Sequence, residues 1–441
     1  MARLFGTDGV RGVANEDLTP DLALALGRAA GRVLTDGGHV VVGRDTRVSG
    51  PMLESALVAG LCSAGVDVRL AGVVPTPAVA FQTLEEKAGA GSMISASHNP
   101  VRDNGIKFFS AEGQKIATTA EDSIEALMKD PADGLPSGLD LGGVDRLDNA
   151  LDRYVDHVVA TADVPLTGLR VVLDCAFGAA WRAGPEAFRR AGVEVVAIHD
   201  EPDGSRINVG CGSTDMTLLA ERVVAEKAHL GIGFDGDADR ALAVDERGQT
   251  VDGDRIISLC ALRLQEQDRL TGGVVVGTVM SNAGFIRALE SRGVQVIAAP
   301  VGDRFVAEEM AARGAVLGGE QSGHVIFGEH STTGDGILTG LQLAQVVAAS
   351  DDPLSILAHW YEPWPQVLLN VRVAARDALD HAEAVWDEVR AVEASLGEDG
   401  RVLLRPSGTE PVVRVMVEAV EEAVAEAAAE RLAGAVQRHL G

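Results

Sequence analysis

Short apolar runs alternate along this chain with longer stretches in which apolar residues recur every three or four positions. Runs rich in valine, leucine and isoleucine predict buried strands at 40–42, 66–70, 90–94, 170–174, 193–198, 230–234, 241–244, 274–277 and 294–298. An early helix begins at Thr19-Pro20 and carries an apolar stripe through Leu22, Leu26 and Val33. Strands that alternate with helices in this way predict an α/β fold.

One unit, a strand followed by a helix and a second strand, occurs three times, at 40–70, 170–198 and 274–298. Each copy ends in the pattern Gly-Val-x-Val, in which the glycine ends the helix. Two parallel strands joined by a right-handed crossover helix fit each copy. The repeat therefore predicts three related α/β domains.

The domain boundaries are expected where proline, glycine and polar residues cluster, near 130–143, 246–253 and 362–365. These positions predict four domains, at 1–143, 144–250, 251–363 and 364–441. The last domain contains a helical pattern at 377–395 among three strand patterns and a closing helix, which predicts a smaller α+β domain.

The charge of the chain limits the classes of partner. A net charge of −27 over 441 residues opposes binding to nucleic acid or to an anionic membrane, so we expect neither partner. An anionic small molecule would need a locally basic pocket, which gives weight to arginine and lysine residues inside motifs. A hydrophobic fraction of 46% with only 4% aromatic residues is typical of an α/β enzyme rich in small side chains.

The cysteines and the apolar segments indicate the cellular compartment of the protein. The chain has four cysteines and no Cys-x-x-Cys pair: Cys62, Cys175, Cys211 and Cys260. This usage predicts reduced thiols, a cytoplasmic protein and no zinc site. Residues 1–10 lack the apolar core of a signal peptide, and the longest apolar run, at 338–349, is too short for a membrane span.

Segment 91–100 (Gly-Ser-Met-Ile-Ser-Ala-Ser-His-Asn-Pro) places Ser97 and His98 where a buried strand ends in a turn. Open α/β sheets have their sites at such strand ends. The pair alone fits either a reactive site or a surface turn. Motifs further along the chain favour the reactive site.

Segment 235–240 (Asp-Gly-Asp-Ala-Asp-Arg) places three carboxylates, those of Asp235, Asp237 and Asp239, in a turn between two strands. Like charges so close together are costly unless a cation neutralises them, which predicts a hard divalent ion. A calcium loop is rejected because Arg240 occupies the position of its turn glycine, and a dinucleotide loop because the acids would repel a pyrophosphate. Magnesium, which completes its shell with water and phosphate oxygen, fits better.

Two further loops and one turn carry polar groups. The loop 319–324 (Gly-Glu-Gln-Ser-Gly-His) suits the hydroxyl groups of a sugar, although a plain polar loop fits it equally well. The loop 405–411 (Arg-Pro-Ser-Gly-Thr-Glu-Pro), with Arg414 on the next strand, has the guanidinium, hydroxyl and backbone donors of a phosphate cradle. Asp252-Gly253-Asp254 is expected to cap the next helix rather than to bind a second metal.

These motifs in this order, together with segment 5–12 (Phe-Gly-Thr-Asp-Gly-Val-Arg-Gly), resemble the α-D-phosphohexomutase family over the whole chain. Segment 5–12, the Ile-Ser-Ala-Ser-His-Asn-Pro form and Gln321 resemble most the bacterial members that act on amino sugars. The resemblance implies three mixed α/β domains and a smaller C-terminal domain around a central cleft. It also implies cytoplasmic synthesis of cell-wall precursors and a homodimer.

The resemblance implies conversion of glucosamine 6-phosphate to glucosamine 1-phosphate through phosphoserine and a bisphosphorylated sugar, which serves as intermediate and activator. One magnesium ion per subunit would be held by Asp235, Asp237, Asp239 and the phosphate of Ser97. Mannose or glucose phosphates are the alternative substrates. The other residues to which a role is carried over are, for catalysis, His98, Lys107, Arg11 and His324, for charge stabilisation Arg240, and for substrate binding Arg304, Glu320, Ser322, Arg405, Ser407, Gly408, Thr409 and Arg414.

Two other functions stay open at this point. A phosphatase would share the phosphoserine but pass the phosphoryl group to water. A sugar-phosphate sensor without catalysis would need neither Ser97 nor a metal. We rank both below the mutase because neither accounts for a phosphate cradle opposite a second phosphate site.

Overall fold

The computed structural model describes residues 3–36, 38–129, 134–374, 376–406 and 411–441. Its helices are α1 Pro20–Leu34, α2 Gly50–Ser63, α3 Thr76–Glu85, α4 Thr118–Met128, α5 Ala150–Val159, α6 Ala180–Arg190, α7 Thr217–Ala225, α8 Gly253–Glu266, α9 Ala283–Ser291, α10 Asp303–Arg313, α11 Gly336–Ala348, α12 Leu354–Leu357, α13 Glu383–Leu396 and α14 Glu422–Leu440. Its strands are β1 Val10–Val13, β2 His39–Arg44, β3 Asp67–Val73, β4 Ala90–Ile94, β5 Asp103–Ser110, β6 Val144–Arg146, β7 Arg170–Asp174, β8 Glu194–Ile198, β9 Leu230–Phe234, β10 Ala241–Asp245, β11 Thr250–Val251, β12 Val274–Thr278, β13 Gln295–Ala299, β14 Leu317–Gly319, β15 Val325–Phe327, β16 Gln366–Arg372, β17 Gly400–Pro406 and β18 Val412–Ala419.

The first sheet has the strand order β1-β5-β4-β2-β3-β6. Strand β2 is parallel to both β3 and β4, so the loops that follow β2 and β4 leave the sheet at the same edge. The backbone N–H of Asp45 donates to the carbonyl of Ile94 at 3.1 Å, which fixes the two loops side by side. The Ser97 segment and the loop after β2 are thereby neighbours.

The second sheet has the order β11-β10-β9-β7-β8. Strands β7 and β8 are parallel, as the repeat predicts, whereas β9 and β10 form an antiparallel pair. The acidic segment 235–240 is the turn that joins this pair. In the next α/β part, β12 is parallel to β14, and the antiparallel pair β14 and β15 is joined by the loop that ends at His324.

The chain divides into two compact units. The first, called here the N-terminal unit, comprises Met1–Thr278 and Ala299–Ala358, and the second, the C-terminal unit, comprises Val279–Ala298 and His359–Gly441. The C-terminal unit contains the antiparallel sheet β16-β18-β17. It also contains α9, whose first residue Ala283 donates its backbone N–H to Glu418 on β18 at 2.9 Å.

The predicted α/β class with a smaller C-terminal α+β domain is confirmed, whereas the exact domain boundaries stay predictions. One helix differs from its predicted start, because α13 begins at Glu383 rather than at residue 377. A 3₁₀ segment precedes it, and the Trp386 indole donates to the carbonyl of Leu379 at 2.8 Å. Ala382, with φ −85° and ψ 70°, interrupts the helical backbone between the two segments. Among the described residues, no helix has the length and apolar character needed to cross a membrane.

Candidate active site

The Ser97 side chain is buried, with 1% of the residue exposed, although it lies on a loop. Its backbone has a φ of +51°, a left-handed conformation that is uncommon for a residue with a β-carbon. Its hydroxyl donates to Asp235 Oδ2 at 2.5 Å and lies 3.2 Å from His98 Nδ1. The hydroxyl therefore points at the acidic turn rather than at solvent.

The Arg47 guanidinium holds the Ser97 loop in this conformation. The side chain is fully buried, and Nε donates to Asp45 Oδ2 at 3.0 Å. Its two terminal nitrogens donate to four backbone carbonyls of the loop, at 2.7–2.9 Å, those of Ser97, Asn99, Pro100 and Asp103. A guanidinium has five N–H donors, so each of them has an acceptor here.

Asp45 and Ser95 extend this support to the backbone of Ser97. Ser95 Oγ donates to Asp45 Oδ2 at 2.7 Å and accepts the N–H of Ser97 at 2.8 Å. From the loop after β8, Asn208 Nδ2 donates to the Ser97 carbonyl at 2.8 Å. Both backbone groups of the strained residue are thus bonded, which stabilises a conformation that would otherwise cost free energy.

The carboxylates of Asp235, Asp237 and Asp239 are all buried, and one ligand oxygen of each lies within 4.8 Å of the others. Gly236 allows this turn to approach the serine loop, since a β-carbon there would lie 2.6 Å from the Ser97 carbonyl oxygen. We call the three residues the acidic triad. Burial and the charges of Asp239 and Asp237 raise the pKa of Asp235 well above its usual value. Three anions enclosed in this way repel one another strongly.

The acidic triad fits a divalent cation. Asp237 Oδ1 and Asp239 Oδ1 are buried and have no hydrogen-bond partner, while Thr76 Oγ1 donates to Asp237 Oδ2 at 2.6 Å. Free carboxylate oxygens of this kind are the ligands that hard cations prefer. Lys107 Nζ lies 2.9 Å from Asp237 Oδ2 and 3.4 Å from Asp239 Oδ2, so it offsets only part of the negative charge. Burial opposes the charged form of Lys107, but Asp237, Asp8 and Asp239 raise its pKa overall.

His324 is buried beside the triad. Its Nδ1 lies 3.7 Å from Asp239 Oδ2, and its Nε2 accepts the backbone N–H of Gly334 at 3.1 Å. A nitrogen that accepts a hydrogen bond carries no proton, so in this arrangement the ring proton is on Nδ1 and faces Asp239. The predicted sugar loop lies next to it, and Glu320 accepts from Ser322 Oγ at 3.4 Å and from the Gly302 N–H at 3.0 Å.

Basic residues surround the Ser97 hydroxyl. Arg11 donates to Asn99 Oδ1 at 3.2 Å and pairs with Asp8, which Lys115 also contacts. Burial raises the pKa of Asp8, but Lys107, Lys115 and Arg11 lower it well below its usual range. Partial burial and the guanidinium groups of Arg240 and Arg11 lower the pKa of His98 to about 4, so the ring is neutral near pH 7.

Three predicted substrate-binding arginines have other contacts. Arg304 pairs with Glu121 and donates to Thr118 Oγ1 at 2.8 Å, so its guanidinium is engaged with α4. In the C-terminal unit, Arg405 and Arg414 lie directly opposite each other on β17 and β18. Burial and the charge of Arg414 lower the pKa of Arg405. Three other predicted cradle residues lie outside the described residues, namely Ser407, Gly408 and Thr409.

Comparison with known proteins places this geometry in a family. Models of phosphoglucomutase/phosphomannomutase match the chain in four consecutive parts, which are α/β/α domain I at 2–133, domain II at 152–248, domain III at 252–363 and the C-terminal domain at 368–435. The chain belongs to this family. Its membership confirms the resemblance to the α-D-phosphohexomutases.

Full-length relatives narrow the activity within the family. A phosphoglucosamine mutase of Moorella thermoacetica is 56% identical over 95% of both chains, and one of Symbiobacterium thermophilum is 51% identical over 100% of both. One of Streptomyces griseus is 52% identical, again over 100% of both chains. This family member is therefore an enzyme of the isomerase class, and the relatives favour phosphoglucosamine mutase over the other activities of the family.

Solved structures agree on the fold. A phosphoglucomutase/phosphomannomutase family protein of Burkholderia thailandensis is 28% identical, has a TM-score of 0.85 and covers 99% of this chain and 97% of its own. An N-acetylphosphoglucosamine mutase of Aspergillus fumigatus, solved with GlcNAc-6P and magnesium, has a TM-score of 0.71 at 18% identity and covers 99% and 96%. At that identity the second likeness concerns the fold alone.

The sequence analysis did not identify Arg47, Asp45, Ser95 or Asn208 as parts of the site. The first two follow β2 in a segment that was predicted only as a loop. One signal was present, because the charged loop at 43–47 follows a predicted strand, and open α/β sheets have their sites at strand ends. The support from Asn208 had no local signal, since it depends on the packing of two sheets.

We predict that Arg47→Lys lowers kcat of this mutase by about 100-fold or more, because a lysine cannot bond the four loop carbonyls together and a displacement of about 1 Å suffices for such a loss. Arg44→Lys is the matched control, since Arg44 on the same strand end pairs with Glu54 and not with the serine loop. Steady-state kinetics and circular dichroism test this prediction. A folded Arg47→Lys enzyme with parental kcat would contradict it.

Proposed function

We propose that this chain interconverts glucosamine 6-phosphate and glucosamine 1-phosphate through a phosphorylated Ser97 and a bisphosphate intermediate. The buried Ser97 hydroxyl, directed at the acidic triad in a strained and fully bonded loop, is the observation that carries the proposal. Phosphoryl transfer demands positioning and charge neutralisation more than a strong nucleophile. Phosphomannomutase or phosphoglucomutase activity is the alternative. Assays with glucosamine 6-phosphate, mannose 6-phosphate and glucose 6-phosphate decide between these activities.

The reaction consists of two transfers in opposite directions. In the first, the Oγ–P bond of phosphorylated Ser97 breaks, an O–P bond to the free sugar hydroxyl forms, the hydroxyl proton passes to a base of the protein, and Ser97 Oγ takes up a proton as it leaves. The bisphosphate then turns over. In the second transfer, the Ser97 hydroxyl gives up its proton as the other phosphoryl group bonds to Oγ, and the sugar oxygen that loses this group takes up a proton.

The charge that develops on the phosphoryl oxygens is offset by several groups. Magnesium, held by the acidic triad and the phosphate of Ser97, would supply positive charge next to the transferring group. Arg11 on β1 adds a fixed cation, and Lys107 on β5 adds positive charge in its ammonium form. Arg240, which lies 3.8 Å from Asp239, adds a third.

We assign the proton transfer to Lys107 rather than to His324. The single ring proton of His324 faces Asp239 and its other nitrogen is bonded to Gly334, so His324 orients a metal ligand. Lys107 has three rotatable donors and lies between the triad and Asp8. Its ammonium form can protonate the departing sugar oxygen, and a divalent charge on the same carboxylates favours the neutral amine that accepts a proton.

Each of the two units offers groups that suit part of a sugar phosphate. Glu320 and Ser322 would bind ring hydroxyl groups, and Arg304 would be available to the substrate only if it leaves Glu121. Arg405 and Arg414 face each other across two strands, an arrangement of like charges that is unfavourable until an anion lies between them. We therefore retain both arginines, with Ser407, Gly408 and Thr409, as the cradle for the phosphate that does not react.

Several finer assignments rest on the family resemblance. They are a homodimeric assembly, a cytoplasmic location and a role in supplying amino-sugar precursors of the cell wall. A phosphatase would release inorganic phosphate without isomer, and a sensor would bind sugar phosphate without turnover. Either of these two results in the hexose 6-phosphate assays would refute the mutase proposal.

We predict that mass spectrometry of the protein as isolated finds a phosphate on the peptide that contains Ser97. Ser97→Ala should remove the phosphate together with nearly all mutase activity, because it removes the hydroxyl that lies 2.5 Å from Asp235 Oδ2. Ser63→Ala, on α2, is the control and should retain both. Isomerisation by Ser97→Ala at a rate near that of the parent would rule out the covalent mechanism.

Asp235→Asn, Asp237→Asn and Asp239→Asn should each weaken magnesium binding by at least about tenfold and lower turnover, because an amide oxygen carries no charge. Asp252→Asn is the matched control. Asp252 caps α8 by accepting the Arg255 N–H at 3.0 Å, as predicted, and asparagine caps helices equally well. Isothermal titration with magnesium is the measurement, and unchanged magnesium dependence in all three triad variants would refute the ligand assignment.

Arg405→Ala should raise KM and release the bisphosphate before it turns over, because each charge-assisted hydrogen bond that is lost is worth about 1.5 to 3 kcal/mol. The rate should then respond more steeply than the parent's to added bisphosphate. Arg372→Ala, an exposed arginine on β16 of the same sheet, is the control. If Arg405→Ala releases the bisphosphate, and responds to added bisphosphate, to the same extent as the parent enzyme, the C-terminal unit is not the cradle. Arg304 would then become the next candidate.

A further inference from the structure

A second group of potential metal ligands lies in the N-terminal unit, apart from the acidic triad. Asp174 ends β7, His199 follows β8, and Cys211 precedes a short 3₁₀ turn. One carboxylate oxygen, one imidazole nitrogen and the thiol sulfur lie within 4.8 Å of one another. We call these residues the Asp-His-Cys cluster. Three different donor types that converge on one point are uncommon in a hydrophobic interior.

The hydrogen bonds of the cluster do not satisfy all of its buried polar atoms. Asp174 is fully buried, and while its Oδ1 contacts His199 Nδ1 at 3.0 Å, its Oδ2 has no hydrogen-bond partner. Cys211 is also fully buried, and its thiol donates to the carbonyl of Arg206 over a long contact of 4.0 Å. A buried carboxylate oxygen without a partner costs free energy, which a cation at this point would offset.

We propose that the Asp-His-Cys cluster is a second metal site that binds one zinc ion or a similar borderline divalent cation. A thiolate, an imidazole and a carboxylate are the ligand types of zinc, and three protein ligands leave a fourth position for water. The all-oxygen triad suits magnesium instead, so the two sites differ in the softness of their ligands.

Binding requires two proton movements. The Cys211 thiol loses its proton to solvent as the sulfur–metal bond forms, and the Nδ1 proton of His199 moves to Nε2 so that Nδ1 becomes a ligand. The side chain of His199 is 17% exposed, which gives the released proton a path to water.

The cluster is connected to the serine loop. Asp174 Oδ1 accepts the N–H of Ala176 at 2.9 Å, and the Ala176 carbonyl accepts the N–H of Asn208 at 3.1 Å. Asn208 in turn bonds the carbonyl of Ser97. A metal on Asp174 would therefore stabilise the turn on which one support of Ser97 depends.

This proposal departs from the expectation of no zinc site. That expectation rested on the absence of a Cys-x-x-Cys pair. The proposed ligands form no such short sequence motif, because each of them comes from a different loop. The second sheet brings the three loops together, since β7 and β8 are adjacent parallel strands.

Cobalt(II) titration of the full-length protein in excess magnesium tests the proposal, because a cobalt–thiolate bond gives a near-ultraviolet charge-transfer band and an all-oxygen site gives none. The band should saturate at one cobalt per chain, disappear when zinc is added, and persist at any magnesium concentration. Absence of the band in the parent protein overturns the proposal.

Variants identify the ligands. Cys211→Ser should abolish the band, and His199→Gln, which keeps the thiol and alters a partly exposed residue, should weaken cobalt binding by at least about tenfold. Cys175→Ser is the matched control, because Cys175 is equally buried and follows Asp174 but is not in the cluster. It should retain the band. A band that survives in a folded Cys211→Ser protein, or parental affinity in His199→Gln, overturns the proposal.

Discussion

The buried Arg47 guanidinium is the constraint on which the rest of the site depends. Its five donors all have acceptors, one on Asp45 and four on the backbone of the serine loop. A guanidinium without partners would be costly to bury, whereas one that is fully bonded fixes every carbonyl it contacts. The left-handed backbone of Ser97 persists because the surrounding structure determines it completely.

A second constraint is the balance of buried charge. The acidic triad concentrates three carboxylates within the interior, and Lys107 offsets only part of their charge. In the proposed reaction, a phosphate on Ser97 adds further negative charge at the same point. A cation bound to these oxygens would offset the charge of the triad and, in the proposed reaction, that of the phosphate as well.

The C-terminal unit has the opposite excess, with two positive charges side by side. Arg405 and Arg414 lie opposite each other on adjacent strands, where like charges destabilise the sheet. A protein tolerates such an arrangement where an anionic ligand offsets it. In the proposed function, the stability of these strands and the binding of phosphate would be linked through the same pair of side chains.

The sequence by itself determined the α/β class, the serine loop, the acidic turn and the family. These features are local, because periodicity predicts strands and helices, and three acids within five residues are close together in any fold. The start of α13 at Glu383 was predicted six residues too early, since its limit depends on how Trp386 packs against Leu379.

Only the tertiary structure decided which distant residues support the chemistry. Arg47 is 50 residues from Ser97 and Asn208 is 111 residues from it, and no periodicity records either contact. The Asp-His-Cys cluster has the same origin, since its three ligands leave three different elements. The sequence specifies the donors and acceptors of such contacts, but their pairing is decided when parallel strands bring separate loops to one edge of a sheet.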